Sequence, residues 1–86
     1  MPPARKLAGN SETALAASIR GLPPGVQGWI TMQEGQALFS PMESEYAFGE
    51  MDDFGRSNLA TFAARADHRA EIEFRPAEGR IYFTRR

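Results

Sequence analysis

Residues 69–86 read RAEIEFRPAEGRIYFTRR, and this stretch decides the fold. From Glu71 to Arg75, and again from Arg80 to Thr84, polar and apolar side chains alternate, the period-two pattern of strands with one face buried. Ile72, Phe74, Ile81 and Phe83 therefore share a face. Pro76-Ala77-Glu78-Gly79 suits a four-residue loop built on a type I turn. Pro76 presets φ at the first turn position, and Gly79 takes the left-handed position that closes the loop. The loop sets the register: Phe74 opposite Ile81, Ile72 opposite Phe83, Glu73 opposite Tyr82, and Arg75 opposite Arg80. The expected object is a C-terminal β-hairpin with an apolar floor and two arginines face to face at its loop end.

Immediately upstream, Asp53 to Ala66 carries the best helical period of the chain, with Asp52 as its cap. Gly55, Leu59, Phe62, Ala63 and Ala66 fall on one face, and Phe54, Ser57, Thr61, Ala64 and Arg65 on the other. A glycine in a helix costs about 1 kcal/mol relative to alanine, so Gly55 marks a close helix contact. An earlier helix is expected from Ser11 to Arg20, capped by Asn10 or Ser11 and stopped by Gly21, Pro23 and Pro24, with Leu15 and Ile19 on one face. Pro24 and Gly25 suit the central positions of a type II turn, after which GWIT, residues 28–31, reads as a short strand.

Met32 to Phe39 admits two readings. As a strand turning back at Glu34-Gly35 it would make a second hairpin, with Ile30, Met32, Ala37 and Phe39 on one face. As a helix it opens with a capping box, Thr31-Met32-Gln33-Glu34, in which the Thr31 hydroxyl accepts from the Glu34 N–H and the Glu34 carboxylate accepts from the Thr31 N–H. The helix is favoured, because Glu-Gly is a poorer hairpin turn than Asn-Gly. Ser40 to Met51 is a connector in which Tyr46-Ala47-Phe48 can form a short extended piece.

Eighty-six residues make one small domain, expected over residues 10–86 behind a loose tail of residues 1–9. The chain has no cysteine, which excludes a disulfide framework and a thiolate zinc site and agrees with a reducing cytoplasm. No apolar run in MPPARKLAG is long enough for a secretory signal or a membrane span. Charge is near balance at −1 but unevenly placed. Residues 53–86 carry seven arginines against five acids, whereas Glu43, Glu45, Glu50, Asp52 and Asp53 follow one another with no basic residue between them. Such a cluster can serve a divalent cation, but its spacing matches no calcium loop, and a solvated surface is the favoured reading. No metal or cofactor is expected.

Helix, short strand, helix, helix, strand, tight loop, strand is an order that resembles the winged helix-turn-helix family, over Ser11 to Arg86. GWIT followed by a capped helix, and EIEFRPAEGRIYF as the wing hairpin, carry the likeness. The resemblance implies an α+β fold: three helices and a small antiparallel sheet ending in the C-terminal hairpin. It also implies that Asp53 to Ala66 is the recognition helix, with Ser57, Thr61 and Arg65 outward and Arg75, Glu78 and Arg80 on the wing. For duplex DNA that set is thin, since binding depends on several lysine or arginine contacts to phosphates and Asp52 and Asp53 repel them. Arg56 and Arg69 stand to the sides.

The remaining candidates each have a functional and a plainer reading. Arg75 facing Arg80 is unfavourable in itself, so the pair either receives an anion or is screened by Glu73, Glu78 and solvent. Phe54, turned away from the Leu59 and Phe62 face, either packs under the connector or forms an exposed apolar contact. Trp29 is read as completing the core, and His68 as a surface or helix-end residue. No standard catalytic constellation is complete: the chain lacks a cysteine nucleophile, a Gly-x-Ser-x-Gly elbow, a glycine-rich phosphate loop and a histidine pair. The expected function is therefore a non-catalytic interaction module that binds a protein partner, with a DNA-binding regulator as the alternative. The binding candidates are Phe54, Arg56, Ser57, Thr61, Arg65, Arg75 and Arg80.

Overall fold

In chain order the elements are β1 (Arg5–Lys6), α1 (Glu12–Arg20), β2 (Gln27–Thr31), α2 (Met32–Phe39), α3 (Asp53–Ala66), β3 (Ala70–Arg75) and β4 (Arg80–Arg85). They are seen in a computed structural model that describes residues 4–39 and 53–86, with residues 53 and 54 described by backbone alone. The fold is α+β: three helices among the described residues and a mixed four-stranded sheet of order β1-β2-β4-β3. The connector expected over Ser40 to Met51, the acids Glu43, Glu45 and Glu50, and the Asp52 cap lie outside the described residues.

The hairpin forms in the register that its loop dictates: Phe74 opposite Ile81, Ile72 opposite Phe83, Glu73 opposite Tyr82, and Arg75 opposite Arg80. Pro76–Glu78 make a single 3₁₀ turn, and Gly79 closes it at φ 68°, where a residue with a Cβ is strained. The Gly79 carbonyl also accepts from the Met32 N–H at 2.8 Å, which ties the hairpin loop to the start of α2. The second tight turn behaves likewise: Val26 N–H reaches the Pro23 carbonyl at 3.1 Å, with Gly25 at φ 81° in the type II position.

Met32–Phe39 is helical, and the capping box is its cause. Glu34 N–H donates to Thr31 Oγ1 at 3.0 Å, while Glu34 Oε1 accepts from Thr31 N–H at 2.9 Å. In α1 the cap is Ser11, whose hydroxyl accepts from Ala14 N–H at 3.1 Å. Asn58 on α3 donates to the carbonyl of Phe39, the last residue of α2, at 3.3 Å. A carbonyl left over at a helix end is thereby satisfied from a neighbouring helix.

The three helices cover one face of the sheet. Leu15 and Ile19 of α1, Ile30 of β2, Met32 of α2, Leu59 of α3, and Ile81 and Phe83 of β4 are fully buried there, with Ala63 beside them. Each such aliphatic or aromatic side chain contributes roughly 1.5–3 kcal/mol relative to exposure. Phe39 and Phe62 add a tilted ring pair at 5.0 Å.

Two expectations are corrected. The tail expected through residue 9 does not hold from Arg5 onward: Arg5 pairs with Gly28 and Lys6 with Trp29 in a parallel ladder, so the sheet is mixed rather than antiparallel. Leu7 then enters the core, and its N–H donates to the Trp29 carbonyl at 2.8 Å. Glycine at 28 permits this, because a Cβ there would stand 2.5 Å from the Leu7 side chain. Trp29 is the other correction. Successive strand residues face opposite ways, and Ile30, opposite Ile81, takes the core side, so Trp29 is turned to the other face of the sheet, helix-free among the described residues.

Candidate functional site

On that helix-free face the register places Lys6, Trp29, Tyr82 and Glu73 in one row across the four strands, with Arg80 and Arg75 in the row beside it. The expected repulsion between Arg75 and Arg80 is resolved here. Arg80 carries its guanidinium 3.8 Å from the centre of the Trp29 ring, and Lys6 Nζ stands 5.5 Å from the same centre. Arg75 lies 4.2 Å from the centre of the Tyr82 ring and pairs with Glu73 and with Glu78, the latter at 3.4 Å. Tyr82 donates its hydroxyl to Glu78 Oε1 at 3.1 Å and is buried although it faces away from the helices. Cations over aromatic faces contribute about 0.5–1 kcal/mol each at exposed sites, so both arginines are held by their own domain. The carboxylates of Glu73 and Glu78 raise the Arg75 guanidinium above its usual value, with the Glu73 hydrogen bond the largest cause.

On α3 the outward residues Ser57, Thr61, Ala64 and Arg65 are exposed, as its helical period requires. Arg56 is half-buried on the helix side of the sheet, 5.4 Å from the centre of the Phe74 ring, and its Nε has no acceptor among the described residues. The Phe54 side chain lies outside the described residues. The candidates thus fall into separate groups. Arg75 and Arg80 stand at the loop end of the hairpin on the helix-free face, and Ser57, Thr61 and Arg65 on the outward side of α3. Arg56 is set between α3 and β3.

Around Arg65 the structure gathers Arg69 and His68 with Arg20, Asp67 and Arg85, which no sequence pattern joins into one site. α1 and α3 end on the same side of the domain, and their C-termini border an open depression lined by Arg20, Arg65, Asp67, His68, Arg69 and Arg85. Arg20 Nε donates to the carbonyl of Ala66, the last residue of α3, at 2.8 Å. Arg85 Nη1 donates to the carbonyls of Arg20 and Leu22 at 3.2 and 3.1 Å, and Arg85 also pairs with Asp67. These guanidiniums neutralise the negative ends of two helices. The Arg69 N–H, first, and the Arg85 charge, against a smaller opposing effect of burial, hold the Asp67 carboxyl below its usual value. No hydrogen bond or ion pair joins the side chains of Arg65 and Arg69 to other described residues.

The depression continues along the helices. Arg65 also lines a groove with Glu12, Leu38, Asn58, Thr61 and Phe62, and Arg20 lines the adjoining one with Glu12, Thr13, Ala16 and Phe62. Sharing Arg20, Arg65, Glu12 and Phe62 among their linings, the three openings adjoin as a trough along α1 and α3, with Phe62 common to both grooves, Glu12 toward the start of α1 and Arg20 at its end. Arg20 at the end of a predicted helix was a legible signal, but its partner lies 46 residues away. No short-range pattern encodes that contact. No helix among the described residues is long and apolar enough to cross a membrane. Comparison of the chain with protein-family models, with curated proteins and with solved structures found no match.

Proposed function

We propose that this domain is a cytoplasmic, non-catalytic interaction module of winged-helix type that binds a protein partner through the outward side of α3. One observation carries the reading: the arginines divide into two sets at opposite ends of β4. Arg75 and Arg80, which would act as wing cations, are engaged with Tyr82, Trp29, Glu73 and Glu78. Arg65, Arg69 and Arg20 lie at the far end, on the helix side of the sheet. Five residues of β4 separate the two sets, about 17 Å at the rise of a strand. Duplex binding draws its affinity from a run of phosphate contacts along one face, and a split set supplies few of them. The winged-helix part of the reading is supported by the element order and by the antiparallel pairing of β2 and β3 on either side of β4.

DNA binding is kept as a second reading on a specific observation: Ser57, Thr61 and Arg65 are all exposed on α3, the helix that the winged-helix resemblance would make the recognition helix. Two experiments separate the readings. Affinity capture on the immobilised domain, with bound proteins identified by mass spectrometry, is expected to yield a specific partner whose capture is lost in Thr61→Arg. Gel shifts at low salt with mixed-sequence duplexes are expected to show no binding. Salt-sensitive duplex binding that weakens in Arg65→Ala and Arg80→Ala, with no protein captured, reverses the ranking.

A further inference from the structure

We infer that the trough between α1 and α3 receives a short protein segment that places an apolar side chain over Phe62 and acidic side chains against Arg65, Arg69 and Arg20. The inference rests on the protein-partner reading and names the chemistry of the partner.

The polarity of the trough carries it. Four arginines line one end against a single aspartate, and that aspartate is already engaged by Arg85 and by the Arg69 N–H. A plainer account makes the arginines counterions for the negative ends of α1 and α3. It explains Arg85, whose Nη1 is bound to two carbonyls, and the Nε of Arg20. It also covers Arg65, in the last turn of α3, but not Arg69, which lies beyond that helix, and neither side chain makes an ion pair with other described residues. The terminal amino groups of Arg20 also have no acceptor among the described residues. Guanidinium forks match carboxylates two bonds at a time, so these open donors select acidic side chains.

The rest of the trough restricts the occupant further. Its middle is built from Phe62 and Ala16, with Leu38 beside them, which suits an apolar side chain. Its far end carries Glu12, which repels an acid. An acidic segment therefore has one favoured direction. From Glu12 to Arg20 the helix rises about 12 Å, the span of about four residues of extended chain. That reach favours a short linear segment over a nucleic-acid backbone, whose regular charges would meet the Glu12 carboxylate at one end of the trough.

The test uses the full chain and a fluorescein-labelled peptide in which one leucine precedes a run of glutamates. Fluorescence anisotropy at low salt should show saturable binding that weakens as salt rises. Arg65→Ala and Arg69→Ala should each weaken it by about tenfold, the loss expected for one charge-assisted contact. Arg5→Ala, which removes the same charge from β1, should change it by less than about twofold. Arg65 and Arg69 are exposed, so both variants should fold, as thermal melting followed by circular dichroism will verify. Absence of peptide binding, or equal losses in all three variants, overturns the inference. So does a duplex oligonucleotide that displaces the peptide and is itself lost in the same two variants, since the occupant is then nucleic acid. If affinity capture yields a protein partner held equally well by wild type and by Arg65→Ala, the protein-partner reading stands and this docking surface is wrong.

Discussion

The guanidinium of Arg80 sits 3.8 Å from the centre of the Trp29 ring, on the sheet face that carries none of the described helices. The arrangement links two strands by a contact that neither hydrogen bonding nor the apolar core supplies, and it places the largest side chain of the chain outside that core. Trp29 and Ile30 are neighbours on β2 with opposite roles.

Their substitutions should therefore differ in cost. Ile30→Ala removes a fully buried side chain and should lower stability by about 2–5 kcal/mol. Trp29→Ala removes a half-buried ring and its two cation contacts, and should cost about 1–2 kcal/mol. Urea denaturation of the two variants gives the comparison. A larger loss for Trp29→Ala would return that residue to the core.

The Thr31–Glu34 capping box should respond to substitution and to pH separately. Glu34→Ala, which leaves the Thr31 N–H without its acceptor, should cost about 1 kcal/mol at neutral pH. Partial burial works to raise the Glu34 carboxyl, but the hydrogen bond and charge of Lys6 together with the Thr31 N–H outweigh it and hold the group below its ordinary 4.5. A carboxyl with a depressed folded value stabilises the fold above its unfolded value and loses that contribution as pH falls through the folded one. Glu34→Gln keeps the box but not the charge. Its deficit against wild type should be present at neutral pH and close as pH falls from 4.5 through the lowered folded value, read as denaturant midpoints across the acid range. A deficit that is constant with pH would mean that the ionised carboxylate contributes nothing.

Gly28→Ala should loosen β1. The new Cβ would meet Leu7 side-chain atoms at 2.5–2.7 Å, and Leu7 is itself in the core. The expected cost is about 1–3 kcal/mol, and a double-mutant cycle with Leu7→Ala should recover at least about 0.5 kcal/mol of it, because the clash then has no second party. Strict additivity in that cycle would show that β1 does not pack as described.

At the hairpin loop, Gly79→Ala forces a Cβ into the left-handed region at φ 68° and should cost about 1 kcal/mol, with Gly79→Asn costing less. Among the described residues nothing stands within 4 Å of the new Cβ, so the loss is conformational and not steric. Thermal midpoints for the two variants should rank in that order. Equal midpoints for wild type and Gly79→Ala would contradict the turn.

Much of the fold was legible because its signals are local. The alternation of Glu71 to Arg75 and Arg80 to Thr84, joined by a four-residue loop, leaves one register, and that register is present. Ser11 before Glu12, and Thr31 with Glu34 three residues on, mark two helix starts through hydrogen bonds that close within one turn. The face of α3 followed from its period, with Leu59 and Ala63 buried and Thr61 and Arg65 exposed. Trp29 could have been placed by the same logic. Period two forbids it and Ile30 from sharing a face, and Ile30 continues the apolar row of Ile81.

By itself, then, the sequence determined the elements whose causes lie within a few residues: the hairpin and its register, the capped helices, and the two glycine turns. Tertiary structure alone decided the rest. A two-residue strand such as Arg5–Lys6 has no period to read and exists only because β2 offers an edge with glycine beneath Leu7. Arg20 reaches Ala66, and Arg85 reaches Arg20 and Leu22, because two helix ends with opposite sequence neighbourhoods happen to meet in space. The same meeting separates Arg65 and Arg69 from Arg75 and Arg80, although all four stand within sixteen residues of the chain. Backbone hydrogen bonding and rotamer preference act over one turn or one strand pair, whereas the side on which a charge finally stands depends on how whole elements pack.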